Sequence, residues 1–226
     1  MSVPDNVKEV RERIQAAAAR AGRRWEDIQL VAVTKTIATE TIKEALAAGV
    51  RLLGENRPQE LAQKCSELAA DAQWHMIGHL QTNKINKIID KVALIHSLDS
   101  WRLAEALSRA AVTRDVEVRT LIQVNVAGEV SKYGIDPREV ADFLVDAAVL
   151  PGLRVCGLMT VAPWTSRPED VRSVFRKLAE IAGDLKKYPA GADLTHLSMG
   201  MSGDFEVAVE EGANIVRIGT AIFGDR

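Results

Sequence analysis

Residues 45–56 read ALAAGVRLLGEN and residues 208–220 read AVEEGANIVRIGT. Each passes from a helix-forming stretch through a glycine stop, Gly49 or Gly212, into a strand rich in Val, Ile and Leu with a polar or glycine-bearing end. Outward from these two stretches the alternation recurs, and eight strand-like runs are found: 28–36, 50–56, 73–78, 94–98, 119–126, 153–160, 194–200 and 214–220. They are apolar on both faces, as parallel strands covered by helices must be. Pro58, Pro137 and Pro168 stand where first helical turns are expected. Eight β/α units in one chain predict a TIM-type (β/α)8 barrel of class α/β, with a doubly wound open sheet as the alternative. Closure is favoured by the ends: only six residues follow the eighth strand, while an unassigned helix at about 5–21 precedes the first and can cover the gap. With no linker-like segment, residues 1–226 are read as a single domain.

Composition narrows the function classes. The 226 residues carry 29 Lys+Arg and 31 Asp+Glu, a net charge of -2, with 4% aromatic residues, which argues against a nucleic-acid module. There is no apolar leader and no long apolar run, so a cytoplasmic protein without a membrane segment is expected. Cys65 and Cys156 lie far apart and without His companions, so they read as free thiols and no metal site is expected. His75 and His79 are four apart, but on a strand running into a loop they are not expected to share a face.

In such barrels chemistry gathers at the C-terminal ends of the strands. Lys35 ends the first run on the face of Val31 and Val33. It is either a lysine whose stem lies on the core while its ammonium reaches water, or a partly desolvated amine able to form a Schiff base. The seventh run leads into SMGMSGD, with Ser198, Met201 and Ser202, where backbone amides opening a helix suit an anion, although Ser202 could equally be a plain N-cap. The eighth run ends Arg217-Ile218-Gly219-Thr220, with Arg217 and Gly219 on one face and a hydroxyl at Thr220. Closure would set these beside Lys35. An amine next to a phosphate cradle fits a small phosphorylated aldehyde such as pyridoxal 5'-phosphate (PLP), and a sugar-phosphate aldolase would use the same geometry.

The runs LVAVTKT, LLGENRPQE, WHMIGHLQTNK, IHSLDS, LIQVNVAGEVSKYGI, GLMTVAP, LSMGMSGDFEVAVEEG and VRIGTAIFG, in this order, closely resemble the YggS/PROSC family of PLP homeostasis proteins. The resemblance implies the fold type III PLP-binding barrel of the alanine racemase N-terminal domain. It implies PLP as cofactor and a role in holding and delivering it without an established reaction. By position it implies Lys35 as the imine-forming lysine, Ser198, Gly219 and Thr220 as the phosphate cradle, Arg217 facing the pyridine nitrogen, and Asn56 lining the pocket. The chain departs from common members at Arg57 and Tyr133.

Arginine donates and does not accept, so a pyridine nitrogen facing Arg217 stays unprotonated and is a weak electron sink. That favours a carrier over a racemase, as does the end of the chain at Arg226 with no second domain to bring a tyrosine base. A regulator acting through partner contact is the third class. The expected partners are PLP and apo-enzymes that receive it, and the expected state is a monomer. Lys132, in the loop after the fifth strand, is either a solvated loop lysine beside Tyr133 and Gly134 or a candidate second amine for release.

Overall fold

The computed structural model describes residues 2–68, 72–129, 132–191 and 194–224. Its strands are β1 (Gln29–Val33), β2 (Leu52–Glu55), β3 (Gln73–Met76), β4 (Val92–Leu98), β5 (Val118–Gln123), β6 (Leu153–Met159), β7 (His196–Ser198) and β8 (Ile215–Ile218), paired in chain order as a closed barrel. The closing pair is parallel and sets Val31 opposite Arg217. The open-sheet alternative is thereby excluded.

Around the barrel run α1 (Val3–Arg20), α2 (Thr39–Ala47), α3 (Pro58–Glu67), α4 (Trp101–Arg114), α5 (Val140–Ala148), α6 (Arg172–Leu185), α7 (Phe205–Glu210) and the short α8 (Thr220–Phe223). Pro58 opens α3 as expected, Pro168 opens a 3-10 turn leading into α6, and Pro137 lies in the turn before α5 rather than in its first turn. Val7, Val10, Ile14 and Ala17 recur at three- and four-residue spacing and are buried, so α1 has one apolar face. That face covers the seam where α8 is too short to do so, with α1 lying against α7, α8 and α2. Polar ties fix it: Asn6 donates to the Ile222 carbonyl at 2.9 Å, and Arg11 donates to the carbonyls of Ala48 and Gly49 at 3.0 and 2.8 Å.

Strand parity decides what lies inside. Val31, Leu94, Leu121, Cys156, Met159 and Ile215 form a small apolar cluster separate from the larger sleeve between strands and helices. Side chains two residues apart on a strand share a face, so His96 follows Leu94 and Arg217 follows Ile215 inward. Both are buried, which places polar groups within the barrel toward its C-terminal end. Gly200 lets the chain turn from β7 toward α7, since its φ is +92° and a Cβ there would stand 2.6 Å from that of Ala208. Among the described residues no helix is long and apolar enough to cross a membrane.

Candidate functional site

A cavity of about 570 Å³ opens at the C-terminal mouth of the barrel. Val33 and Lys35 line it from the end of β1, Lys132 from the loop after β5, residues 161–165 from the loop after β6, residues 201–204 from the loop after β7, and Arg217, Gly219 and Thr220 from β8 and beyond. Of the residues expected to form a site, Lys35, Met201, Ser202, Arg217, Gly219 and Thr220 are therefore brought together. Asn56 and Ser198 are not among the lining residues. The Asn56 backbone N–H donates to Glu55 Oε2 at 3.2 Å, and Ser198 lies fully buried beneath Arg217.

Lys35 departs from expectation in its setting. The strand stops at Val33, and Lys35 stands exposed in the following turn. Thr34 O accepts from the Ile37 N–H at 3.0 Å, closing a four-residue turn in which Thr36 has φ +62°. A positive φ is unusual for a β-branched residue and ends the strand earlier than the run of Val and Thr suggests.

Arg217 is 4% exposed and donates to Ser198 Oγ at 2.6 Å and to the Thr160 carbonyl at 2.9 Å. Burial pulls its guanidinium down to about 10, against the pull of Asp204. The chain of contacts continues from Ser198 Oγ to His96 Nδ1 at 2.9 Å, and from His96 Nε2 to His75 Nδ1 at 3.0 Å. Burial, with lesser contributions from neighbouring positive charge, pushes His75 down to about 4 and His96 well below the ordinary imidazole range. Both rings are thus neutral at pH 7. Arg217 can only donate, so an arrangement consistent with these contacts has the Ser198 hydroxyl donating to His96 and His96 donating to His75. His79 belongs elsewhere: its ring meets Asp99 at 2.7 Å and stacks on Tyr133 with centroids 3.9 Å apart.

Ser202 does not cap α7. Its Oγ accepts from the backbone N–H groups of Gly219 and Ala221 at 3.2 and 3.3 Å, bridging the loop after β7 to the end of β8. Asp204 holds that loop by accepting the Met201 N–H at 2.6 Å, and burial raises its carboxyl above the ordinary range. The cavity therefore presents hydroxyls at Ser202 and Thr220 on one side, the former anchored by the peptide N–H groups of Gly219 and Ala221, with the primary amine of Lys35 in the same cavity.

Residues 6–226 match the family model of the alanine racemase N-terminal domain. A pyridoxal phosphate homeostasis protein of Aquifex aeolicus is 45% identical over 227 residues, covering 100% of this chain and 99% of that one. The chain belongs to the pyridoxal phosphate homeostasis proteins. Another member, from Escherichia coli, is 39% identical over 99% of this chain and 97% of its own length. PipY of Synechococcus elongatus, solved with PLP bound, is 36% identical with a TM-score of 0.82, covering 95% of this chain and all of that one. The alanine racemase of Corynebacterium glutamicum shares the fold, with a TM-score of 0.74 at 17% identity over 99% of this chain and 62% of its own.

Three contributors escaped the sequence reading: His96, Thr160 and Asp204. His96 carried a usable signal, since it follows Leu94 by two on an inward face near a strand end, by the same parity that marked Lys35. Thr160 and Asp204 act through a backbone carbonyl and a loop amide, which only the folded arrangement brings into play.

Proposed function

We propose that this protein binds PLP in the cavity at the barrel mouth as a Schiff base on Lys35 and serves in PLP homeostasis as a carrier and buffer. One observation carries the reading: a free primary amine and a set of phosphate-type donors share one cavity with Arg217. The residues fit the cofactor by their chemistry. Lys35 offers the amine that an aldehyde requires, Ser202 and Thr220 offer hydroxyl donors for a phosphate, and Arg217 offers a donor to a ring nitrogen. A cavity of about 570 Å³ is of ordinary size for a small ligand. When bound, PLP supplies an electrophilic aldehyde and an electron-withdrawing ring. On binding, the Lys35 nitrogen bonds to the aldehyde carbon and water leaves.

Arg217 keeps its proton at pH 7 even after burial, so it leaves the ring nitrogen unprotonated and holds down carbanion chemistry. That property suits a carrier. Lys132 lines the same cavity, and we assign it the second amine that displaces Lys35 at the aldehyde carbon when PLP passes to an apo-enzyme. The test is reduction with borohydride followed by peptide mapping, with the pyridoxyl adduct expected on Lys35. An adduct on Lys132 or elsewhere would overturn the assignment.

A further inference from the structure

The turn that carries Lys35 is gripped from outside the barrel. Lys64, on α3 and 8% exposed, donates from Nζ to the Thr34 carbonyl at 2.6 Å and to Glu55 Oε1 at 2.6 Å. Glu55, fully buried on β2, also accepts from Thr34 Oγ1 at 2.8 Å. Glu60 Oε2 lies 3.5 Å from Lys64 Nζ and accepts from the Thr36 N–H at 3.1 Å. The two peptide units that flank the Lys35 Cα are therefore both held: the carbonyl of Thr34–Lys35 by Lys64, and the N–H of Lys35–Thr36 by Glu60. Between them they fix the direction in which the Lys35 side chain leaves the backbone. They also hold Thr36 at φ +62°, a conformation that glycine or asparagine takes far more readily.

We propose that Glu60, Lys64 and Glu55 form a positioning device that presents the Lys35 amine to an aldehyde in the cavity, with Glu60 acting by imposing the positive φ at Thr36. The proposal rests on the reading that Lys35 is the imine-forming residue. The Glu60 carboxyl is held below the ordinary carboxylate range chiefly by the Thr36 amide, which agrees with the geometry. A cluster that merely filled space would have no reason to bind both peptide units around one residue.

The test compares Glu60→Ala, Glu60→Gln, and Glu60→Ala combined with Thr36→Gly. Two quantities are measured: the rate at which the imine band grows when apo-protein is mixed with PLP, and hydrogen exchange at the Thr36 amide. Glu60→Ala removes a charge-assisted bond and is expected to slow imine formation about tenfold and to raise Thr36 exchange by a similar factor. Glu60→Gln keeps an acceptor oxygen and is expected to stay close to wild type. Thr36→Gly in the Glu60→Ala background is expected to restore the imine rate, because glycine adopts the positive φ unaided. Loss of Thr36 protection with an unchanged imine rate would overturn the proposal, as would failure of the glycine to rescue. An imine mapped away from Lys35 in the wild-type protein would overturn the underlying reading and this proposal with it, a result distinguishable because no variant is needed to see it.

Discussion

Polar groups are buried in opposite ways on the two sides of the barrel mouth. Beneath β8 a single guanidinium, Arg217, is held by a hydroxyl and a carbonyl, and the contacts run on through two imidazoles that burial keeps neutral. Beneath β1 an ammonium meets carboxylates directly, Lys64 with Glu55 at 2.6 Å and with Glu60 at 3.5 Å. The first arrangement gives up charge wherever it can and depends on hydrogen bonds in series. The second sets opposite groups in direct contact and depends on all of them being present. Loss of one member is therefore expected to cost most on the β1 side, while the β8 side is expected to respond to pH.

The sharpest way to break the contrast is Lys64→Met, which strands Glu55 in the core without its partner. Removing one member of a buried pair costs about 3–5 kcal/mol, and for a chain of this size that corresponds to roughly 6–20 °C in Tm. Thermal unfolding measures it. Little change in Tm would mean that the pair is no more costly to break than a surface one.

The β8 side offers the next effect. His75 titrates at about 4 when folded, below its ordinary 6.5, so between these values the unfolded chain binds more protons than the folded one. Stability accordingly rises with pH through this window and is lost as pH falls through it. From pH 7 to pH 5 His75 alone is expected to cost about 2 kcal/mol, and His96 acts in the same direction. Urea unfolding at the two pH values reads the difference, which is expected to shrink in His75→Gln. An unchanged slope in that variant would remove His75 from the account.

Smallest of these effects is the loss of one phosphate donor. Ser202→Ala or Thr220→Val is expected to weaken PLP binding about tenfold, the worth of one charge-assisted bond, while pyridoxal without the phosphate binds as to wild type. Titration with both ligands measures this. Equal weakening for both would place the phosphate away from Ser202 and Thr220, nearer the buried Ser198.

Much of this architecture can be read from the chain because it follows from local rules. The strands are doubly apolar, the glycines at 49 and 212 both take positive φ after helix ends, and α1 carries a regular apolar face. The last residues of the first run could not be placed so easily. Val33-Thr34-Lys35-Thr36 has strong strand propensity, yet contacts from α3 hold Thr36 in a turn, and tertiary contacts outweigh a preference worth at most ~1 kcal/mol. Ser198 ends a strand beside a glycine-rich loop and the resemblance implies a phosphate contact there, while in the fold it lies buried beneath Arg217. Lys64 hid in plain view: it falls three residues after Leu61 and four before Leu68, on the apolar stripe of its helix, where a lysine is out of place unless a buried carboxylate awaits it.

The central claim is that Lys35 holds the cofactor, and Lys35→Ala tests it most directly. Lys35 is exposed and in a turn, so its loss is expected to leave the fold and Tm close to wild type. The measurement is the absorption spectrum of the variant after incubation with PLP, taken beside its circular dichroism. Complete loss of the imine band with an unchanged fold is the predicted result, and an imine band that survives in the folded variant would contradict it.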